Sequence, residues 1–358
     1  MPGHIIIITG PTASGKTAFV DQIYSKNSAI EVINADMGQF YAPLSIGTAK
    51  PDWRALPYLC HLFDILTTPE DFTVVQFRAR VIELVEQILA RGNTPVIVGG
   101  SMFYIKSLFY PPLKKVDGCS VGDVTQANPA HPELVEGPSV SEILTPDLEN
   151  LSTQDLWERL QEIDPVRAAA IHPSDRYRIG RALEIWYKQG VKPSSLLPVL
   201  EYPFGNASVE IMYIRPSMAV LTERINARTA AMVIGGWGEE AQSLRGTSWA
   251  AFVRRKNLIG YTELVDAIPK VVKRATEELV PAHPAGCRWE PIEGHMREPD
   301  LQQAIRTIEI GTRQYAKRQI LFLNKFMTDL QRDTQAQGFV VDELVAPNKV
   351  TLKLGVGV

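Results

Sequence analysis

Residues 10–17 constrain this chain more than any other stretch. They read Gly10-Pro11-Thr12-Ala13-Ser14-Gly15-Lys16-Thr17 and satisfy G-x-x-x-x-G-K-[ST] at every fixed position. The β-branched run Ile5–Ile8 enters the motif, and helix-compatible Ala18–Ile23 leaves it. Such a loop turns successive backbone N–H groups inward and adds a helix N-terminus, so it cradles a di- or triphosphate. Lys16 is expected to neutralise phosphate oxygens, and the Thr17 hydroxyl to help hold Mg²⁺. Taken alone, the motif announces a nucleoside triphosphatase or a kinase.

The rest of the chain narrows the setting. A length of 358 residues suggests about two domains, and 45% hydrophobic residues suffice for a sizeable core. The formal net charge is −3, so a nucleic-acid surface would have to be a local patch on a mildly acidic body. Cys60, Cys119 and Cys287 are odd in number and far apart, which supports neither a disulfide framework nor a zinc site. The N-terminus lacks a basic leader, and no apolar run approaches the about 18 residues that span a bilayer. A cytoplasmic protein without membrane attachment is expected.

A second strand, Ile30–Asn34, ends in Ala35-Asp36. Phe72–Ala90 has helical periodicity and closes on Arg91-Gly92, a C-cap signal. The short strand Pro95–Val98 runs into Gly99-Gly100-Ser101. This β-α-β-α-β alternation predicts an α/β fold with a parallel sheet flanked by helices. Ligands of such sheets bind at the carboxyl ends of the strands, which places the phosphate loop, Asp36 and Ser101 on one rim. Helices are predicted over Thr153–Ile163, Tyr177–Gln189, Ala219–Met232, Phe252–Ile268 and Leu301–Arg332, with a strand at Val209–Ile214. The tail Phe339–Val358 alternates weakly and suggests a small strand pair. Residues 117–146 and 281–299 are irregular, and both contain Pro-Ala-His-Pro. They read as loop inserts, the first expected to be disordered.

Several stretches fall into one order. They are Gly10–Thr17, Asn34-Ala35-Asp36, Ile46-Gly-Thr-Ala-Lys-Pro51 and His61-Leu-Phe-Asp-Ile65. Val98–Lys106, Asp175–Glu184, Ile259-Gly-Tyr261 and Thr312-Arg-Gln-Tyr-Ala-Lys-Arg-Gln319 follow. The series resembles the bacterial tRNA dimethylallyltransferases (isopentenyl-diphosphate:tRNA transferases), from residue 4 to about 326 apart from the two inserts. The resemblance implies transfer of a dimethylallyl group from its diphosphate to N6 of the adenine on the 3′ side of the anticodon. It implies a P-loop α/β core with a smaller, mainly helical insertion and a helical C-terminal region. The expected division is 1–110 core, 111–165 helical insertion, 166–330 core continuation with tRNA-binding helices, and 331–358 tail.

The residues can also be read for that chemistry. An exocyclic adenine amine is a poor nucleophile because its lone pair is delocalised, so catalysis must orient it, remove a proton and stabilise the leaving diphosphate. Asp36, at a strand end near the phosphate loop, is the natural acceptor of the N6 proton; a helix cap or a carboxylate behind Mg²⁺ are its other readings. Lys16 and Thr17, with Mg²⁺, would cover the diphosphate. Ser101 can hydrogen-bond a phosphate oxygen, where the family usually has threonine. Arg224 and Arg228 lie four apart on one helix face. The resemblance makes Arg228 the diphosphate-binding arginine.

Basic patches point to a nucleic-acid backbone. Tyr177, Arg178 and Arg181 stand beside Arg176, and Arg254, Arg255 and Lys256 precede Asn257-Leu-Ile-Gly260-Tyr261. Residues 301–332 carry Arg306, Arg313, Lys317, Arg318, Lys325 and Arg332 against Glu309 and Asp329, six minus two, a local +4. By resemblance, Asp36, Met37, Gly38, Gln39, Tyr177, Arg178, Arg181, Asn257, Gly260 and Tyr261 line the path of a tRNA anticodon stem-loop. The base would flip into the rim pocket, where Gln39 could read its edge. Met37-Gly38, Tyr177 and Thr262 depart from the family pattern. A monomer is expected. The competing reading is a small-molecule P-loop kinase in which Asp36 activates a hydroxyl; an RNA-binding protein with a decayed site and a free-adenylate prenyltransferase are the others.

Overall fold

Apolar, β-branched runs become the centre of a seven-stranded sheet. The computed structural model describes residues 3–112, 148, 150–196, 199–267, 298–346 and 348–355. Its strands are β1 (His4–Thr9), β2 (Ile30–Asn34), β3 (Leu59–His61), β4 (Thr94–Gly99), β5 (Ser208–Ile214), β6 (Val340–Ala346) and β7 (Lys349–Gly355). They are ordered β3-β2-β4-β1-β5-β7-β6. The first five are parallel, and β7 and β6 add antiparallel to β5. All five residues of β2, and five of the six in β1, are buried. Both faces of the sheet are therefore covered, as an unbroken Ile/Val run requires.

The helices are α1 (Lys16–Tyr24), α2 (Val74–Ala90), α3 (Met102–Phe109), α4 (Thr153–Ile163), α5 (Pro165–Ala169), α6 (Arg176–Gln189), α7 (Met218–Ile234), α8 (Trp237–Ser243), α9 (Ser248–Arg255), α10 (Tyr261–Ala267) and α11 (Glu298–Ala336). One core joins α2, α3 and α11 to one face of the sheet through Phe77, Val81, Ile88, Leu108 and Leu323. On the other face Val20 of α1 packs with Ile6, Ile8, Val32 and Val96. Glu31, buried on β2, receives a bidentate Arg91, Asn93 and His61, and so ties β2 to β3 and to the end of α2. Arg91, acting first, holds its carboxyl down at about 2.

Four expectations change. The helix predicted over Phe252–Ile268 is two helices, α9 and α10, because Asn257 (φ 47°) and Gly260 (φ 91°) take left-handed conformations that stop a right-handed helix. The tail strands form the expected pair but also join the main sheet. β3 and α8 carry no periodic signal and were not predicted. The helical insertion does not stop at 165. Leu156 and Leu160 of α4, Ala168 of α5 and Ile179 and Leu183 of α6 share a core of their own, so the unit runs through Gln189. The inserts at 117–146 and 281–299 lie outside the described residues, apart from the first two residues of α11. Among the described residues, no helix is long and apolar enough to cross a membrane.

Candidate active site

The rim expected from the sheet topology is present, and each side chain on it has a local cause. β1 ends at Thr9, and the chain turns through Ala13 (φ 61°) and Gly15 (φ 95°) into α1. Gly15 is required by that positive φ. Gly10 is required by contact: a Cβ there would lie 2.5 Å from the Ile214 carbonyl at the end of β5. Lys16 folds back over the loop, its Nζ donating to the carbonyls of Gly10 and Pro11 at 3.1 Å each. A diphosphate in the cradle would replace these two acceptors with charged ones.

Asp36 follows β2 at the same rim. Its amide donates to Asn34 Oδ1 at 2.9 Å, and it precedes a 3-10 turn, Met37–Phe40. Burial raises its carboxyl above the usual carboxylate range, opposed by Lys16, by Arg228 and by the Gly38 amide. Burial also lowers the Lys16 ammonium to about 8, partly offset by Asp36. The two groups thus shift toward each other, as in sites built for proton transfer. Lys16, Thr17, Asp36, Gln39, Phe63 and Gly99 line one cleft, whose wall includes the apolar Pro51, Leu56 and Val98.

Arg224 and Arg228 both reach the phosphate loop from α7. The Arg224 guanidinium donates to the Ser14 carbonyl at 3.0 Å, and that of Arg228 donates to the Thr12 hydroxyl. Ser101, 5% exposed, accepts the Met37 amide at 2.8 Å, so only its hydroxyl proton is left for a phosphate. Thr17 is exposed at the start of α1. Its hydroxyl fits a Mg²⁺ ion that takes its remaining ligands from phosphate and water, as Mg²⁺ commonly does. Among the described residues no cluster of three or more His, Cys, Asp or Glu competes for a metal.

The acceptor side differs more from expectation. Gln39 commits its amide nitrogen to the carbonyls of Thr48 (3.2 Å) and Ala49 (3.4 Å). Met37 is buried in the main core, and a side chain at Gly38 would collide with the Thr48 methyl. Arg178 and Arg181 are buried, not displayed: Arg178 pairs with Asp175 at 3.3 Å and Arg181 with Glu184. Tyr177 is half-buried. Arg255 and Lys256 pair with Asp71. Tyr261 is buried with its hydroxyl on Glu240, and Gly260 lies against Trp237, whereas Asn257 is exposed at the helix break.

Sequence reasoning missed two site-shaping residues. Gln319 of α11, 1% exposed, accepts the Thr12 amide and donates to the Gly100 carbonyl, both at 2.8 Å. Glu240 of α8 accepts three backbone amides of residues 45–47. The only available signals were the placement of Gln319 in the Thr312–Gln319 stretch and of Glu240 just after Gly235-Gly236.

The chain is similar to known proteins along most of its length. The IPP transferase family profile matches residues 39–326. A tRNA dimethylallyltransferase of Anaeromyxobacter dehalogenans is 31% identical over 329 residues, covering 90% of this chain and 92% of that one. One from Fervidobacterium nodosum is 30% identical over 332 residues, with coverage of 92% and 90%. The crystal structure of a tRNA isopentenylpyrophosphate transferase from Staphylococcus epidermidis is similar with a TM-score of 0.50 and 28% identity, over 89% of each chain. A eukaryotic dimethylallyltransferase shares the fold, with a TM-score of 0.63, 24% identity and coverage of 90% and 70%.

Proposed function

The chain belongs to the IPP transferase family, and on that premise we propose that it moves the dimethylallyl group of dimethylallyl diphosphate onto N6 of the adenine on the 3′ side of the anticodon in certain tRNAs. The observation that carries the mechanism is the convergence of Lys16, Asp36 and Arg228 on one rim. A phosphate grip and a raised carboxyl then face the same small space.

In this reading the diphosphate lies on the loop amides under Lys16, with Arg228 moving from Thr12 to a phosphate oxygen. Thr17 would hold Mg²⁺ here, and the ion would supply charge neutralisation of the leaving group. The apolar wall of Pro51, Leu56 and Phe63 suits a five-carbon hydrocarbon. The adenine, flipped from its stack, presents N6 to C1 of the dimethylallyl group. The N6 lone pair forms the new C–N bond as the C1–O bond breaks, the diphosphate leaves with the bond electrons, and the N6 proton passes to Asp36. Gln39 Oε1 is the group left to accept from the adenine edge. Asn257, exposed at the helix break, meets the tRNA directly in this reading. Arg178, Arg181 and Tyr261, all buried, act from behind the surface, and half-buried Tyr177 stands beside the tRNA path. A monomeric, cytoplasmic protein fits this activity.

Phosphoryl transfer is not favoured, since the relatives matching about nine-tenths of the chain are transferases named for tRNA. Labelled dimethylallyl diphosphate with Mg²⁺ and bulk tRNA tests the reading. Label should appear in tRNA, and Asp36→Asn should lower kcat by about 10²-fold or more while sparing diphosphate binding. No transfer of label to any tRNA, or transfer of phosphate from labelled ATP to a small alcohol in a parallel assay, would overturn it.

A further inference from the structure

Behind the acceptor side of the cleft lies a carboxylate that the reaction itself does not use. Glu240 Oε2 accepts the amides of Ser45 (3.0 Å) and Ile46 (2.7 Å). Its Oε1 accepts the amide of Gly47 at 3.1 Å and the hydroxyl of Tyr261. Four donors nearly fill the about four lone-pair sites of a carboxylate. The Tyr261 phenol is pushed far above its usual range by burial and then by Glu240, so it stays a donor at any working pH. Trp237, three residues earlier, is sandwiched between two glycine backbones. A Cβ at Gly47 would lie 2.1 Å from its indole nitrogen, and one at Gly260 would lie 2.0 Å from its ring.

From that anchor a short chain of contacts runs to the base. Residues 45–47 lead to Thr48, whose carbonyl accepts from Gln39 and whose methyl abuts Gly38. Gly38 in turn lies beside the Asp36 carboxylate, where its amide opposes the upward shift of that group. The far end of the segment is pinned separately, with Lys50 donating to the Tyr41 carbonyl at 2.8 Å and pairing with Asp64. None of these contacts touches the phosphate loop. α7 carries Arg228 to the diphosphate, and α8, which follows it across Gly235-Gly236, carries Glu240 to the acceptor turn.

We propose that Glu240 is a positioning residue for the acceptor half of the site, holding the Ser45–Thr48 segment so that Gln39 and Asp36 face the adenine. The proposal rests on the prenyl-transfer reading above. It separates the two substrates: loss of the clamp disturbs the acceptor and leaves the diphosphate grip alone.

Glu240→Gln tests it, since the amide keeps the shape but replaces one accepting oxygen with a donor. At saturating dimethylallyl diphosphate, the KM for tRNA should rise about tenfold and kcat fall about tenfold, with the KM for the diphosphate changed less than about twofold. Tyr261→Phe, a milder variant should Glu240→Gln fold poorly, should move the same constants in the same direction. Combined with Gln39→Ala, the Glu240→Gln loss should be smaller than the sum of the two, because both act through one contact chain. Hydrogen exchange supplies a readout independent of activity. Amides 36–39 and 45–48 should exchange faster in Glu240→Gln, with amides 12–16 unchanged. Equal rises in both KM values, full additivity, or uniform exchange across both loops would overturn the clamp. Wild-type protein that transfers nothing would instead overturn the prenyl-transfer reading, and the exchange pattern would still decide the clamp.

Discussion

At the scale of the residue, the proposed roles of Lys16 and Asp36 predict a pH window with two distinct limbs. As the proposed acceptor of the N6 proton Asp36 must be ionised, and burial raises its carboxyl, so the rate should fall as pH drops through that raised value. Lys16 must be charged to hold the diphosphate, and burial brings it down to about 8. Above that, the free enzyme loses its ammonium and affinity for the diphosphate falls with rising pH. The alkaline limb belongs to kcat/KM for dimethylallyl diphosphate and should be absent from kcat, because a bound diphosphate restores the charge. Steady-state profiles from about pH 5 to 9.5 should show this asymmetry. Lys16→Arg, charged throughout, should be slower but lack the alkaline limb. An alkaline limb persisting in that variant would remove Lys16 from the assignment. The positions of Lys16, Thr17 and Asp36 were legible because a phosphate loop and a strand end fix backbone placement in advance. The fate of Arg178 and Arg181 was not, because i,i+3 pairing to Asp175 and Glu184 looks the same in a solvated helix as in a buried one.

At the scale of the element, α11 shows what periodicity conveys and what it omits. Its amphipathic pattern predicted a long helix, and the helix spans Glu298–Ala336. That it latches the phosphate loop could not be read, since Thr12 and Gln319 stand 307 residues apart and one hydrogen bond leaves no pattern. The break between α9 and α10 was partly readable from Gly260, whereas Asn257 gave only a weak hint. Gln319→Leu keeps most of the volume but strands the Thr12 amide and the Gly100 carbonyl. Each buried orphan costs about 1–3 kcal/mol, so stability should fall by about 2–6 kcal/mol. For a chain of 358 residues that corresponds to about 3–8 °C in the thermal midpoint. The KM for dimethylallyl diphosphate should rise severalfold in the same variant, because Thr12 also carries Arg228. An unchanged midpoint and KM together would show the latch to be incidental.

At the scale of the whole molecule, the first strand and the last two share the sheet that carries the site. β1 opens the chain and leads into the phosphate loop, β5 is its neighbour, and the tail closes β5 through β7. The +4 counted over residues 301–332 already includes Asp329, which pairs with Lys325 and Arg332, while Asp333, just beyond the counted stretch, also holds Arg332. The weak alternation of the tail predicted a strand pair but not its docking partner, because antiparallel pairing depends on which edge is open. Leu352 and Leu354 are each 1% exposed. Burying two such side chains contributes about 3–6 kcal/mol, a large share of the 5–15 kcal/mol that typically holds a protein folded. A chain ending at Gly338 would lose both leucines and leave β5 as a bare edge, so it should accumulate as insoluble protein. Leu352→Ala provides the graded version, with a loss of about 2–4 kcal/mol in denaturant unfolding. At 25 °C, well below its lowered midpoint, this variant should keep both KM values, since its side chain packs in the core and not on the rim. A soluble truncated chain with an unshifted unfolding midpoint would show that the parallel strands hold the phosphate loop without the tail.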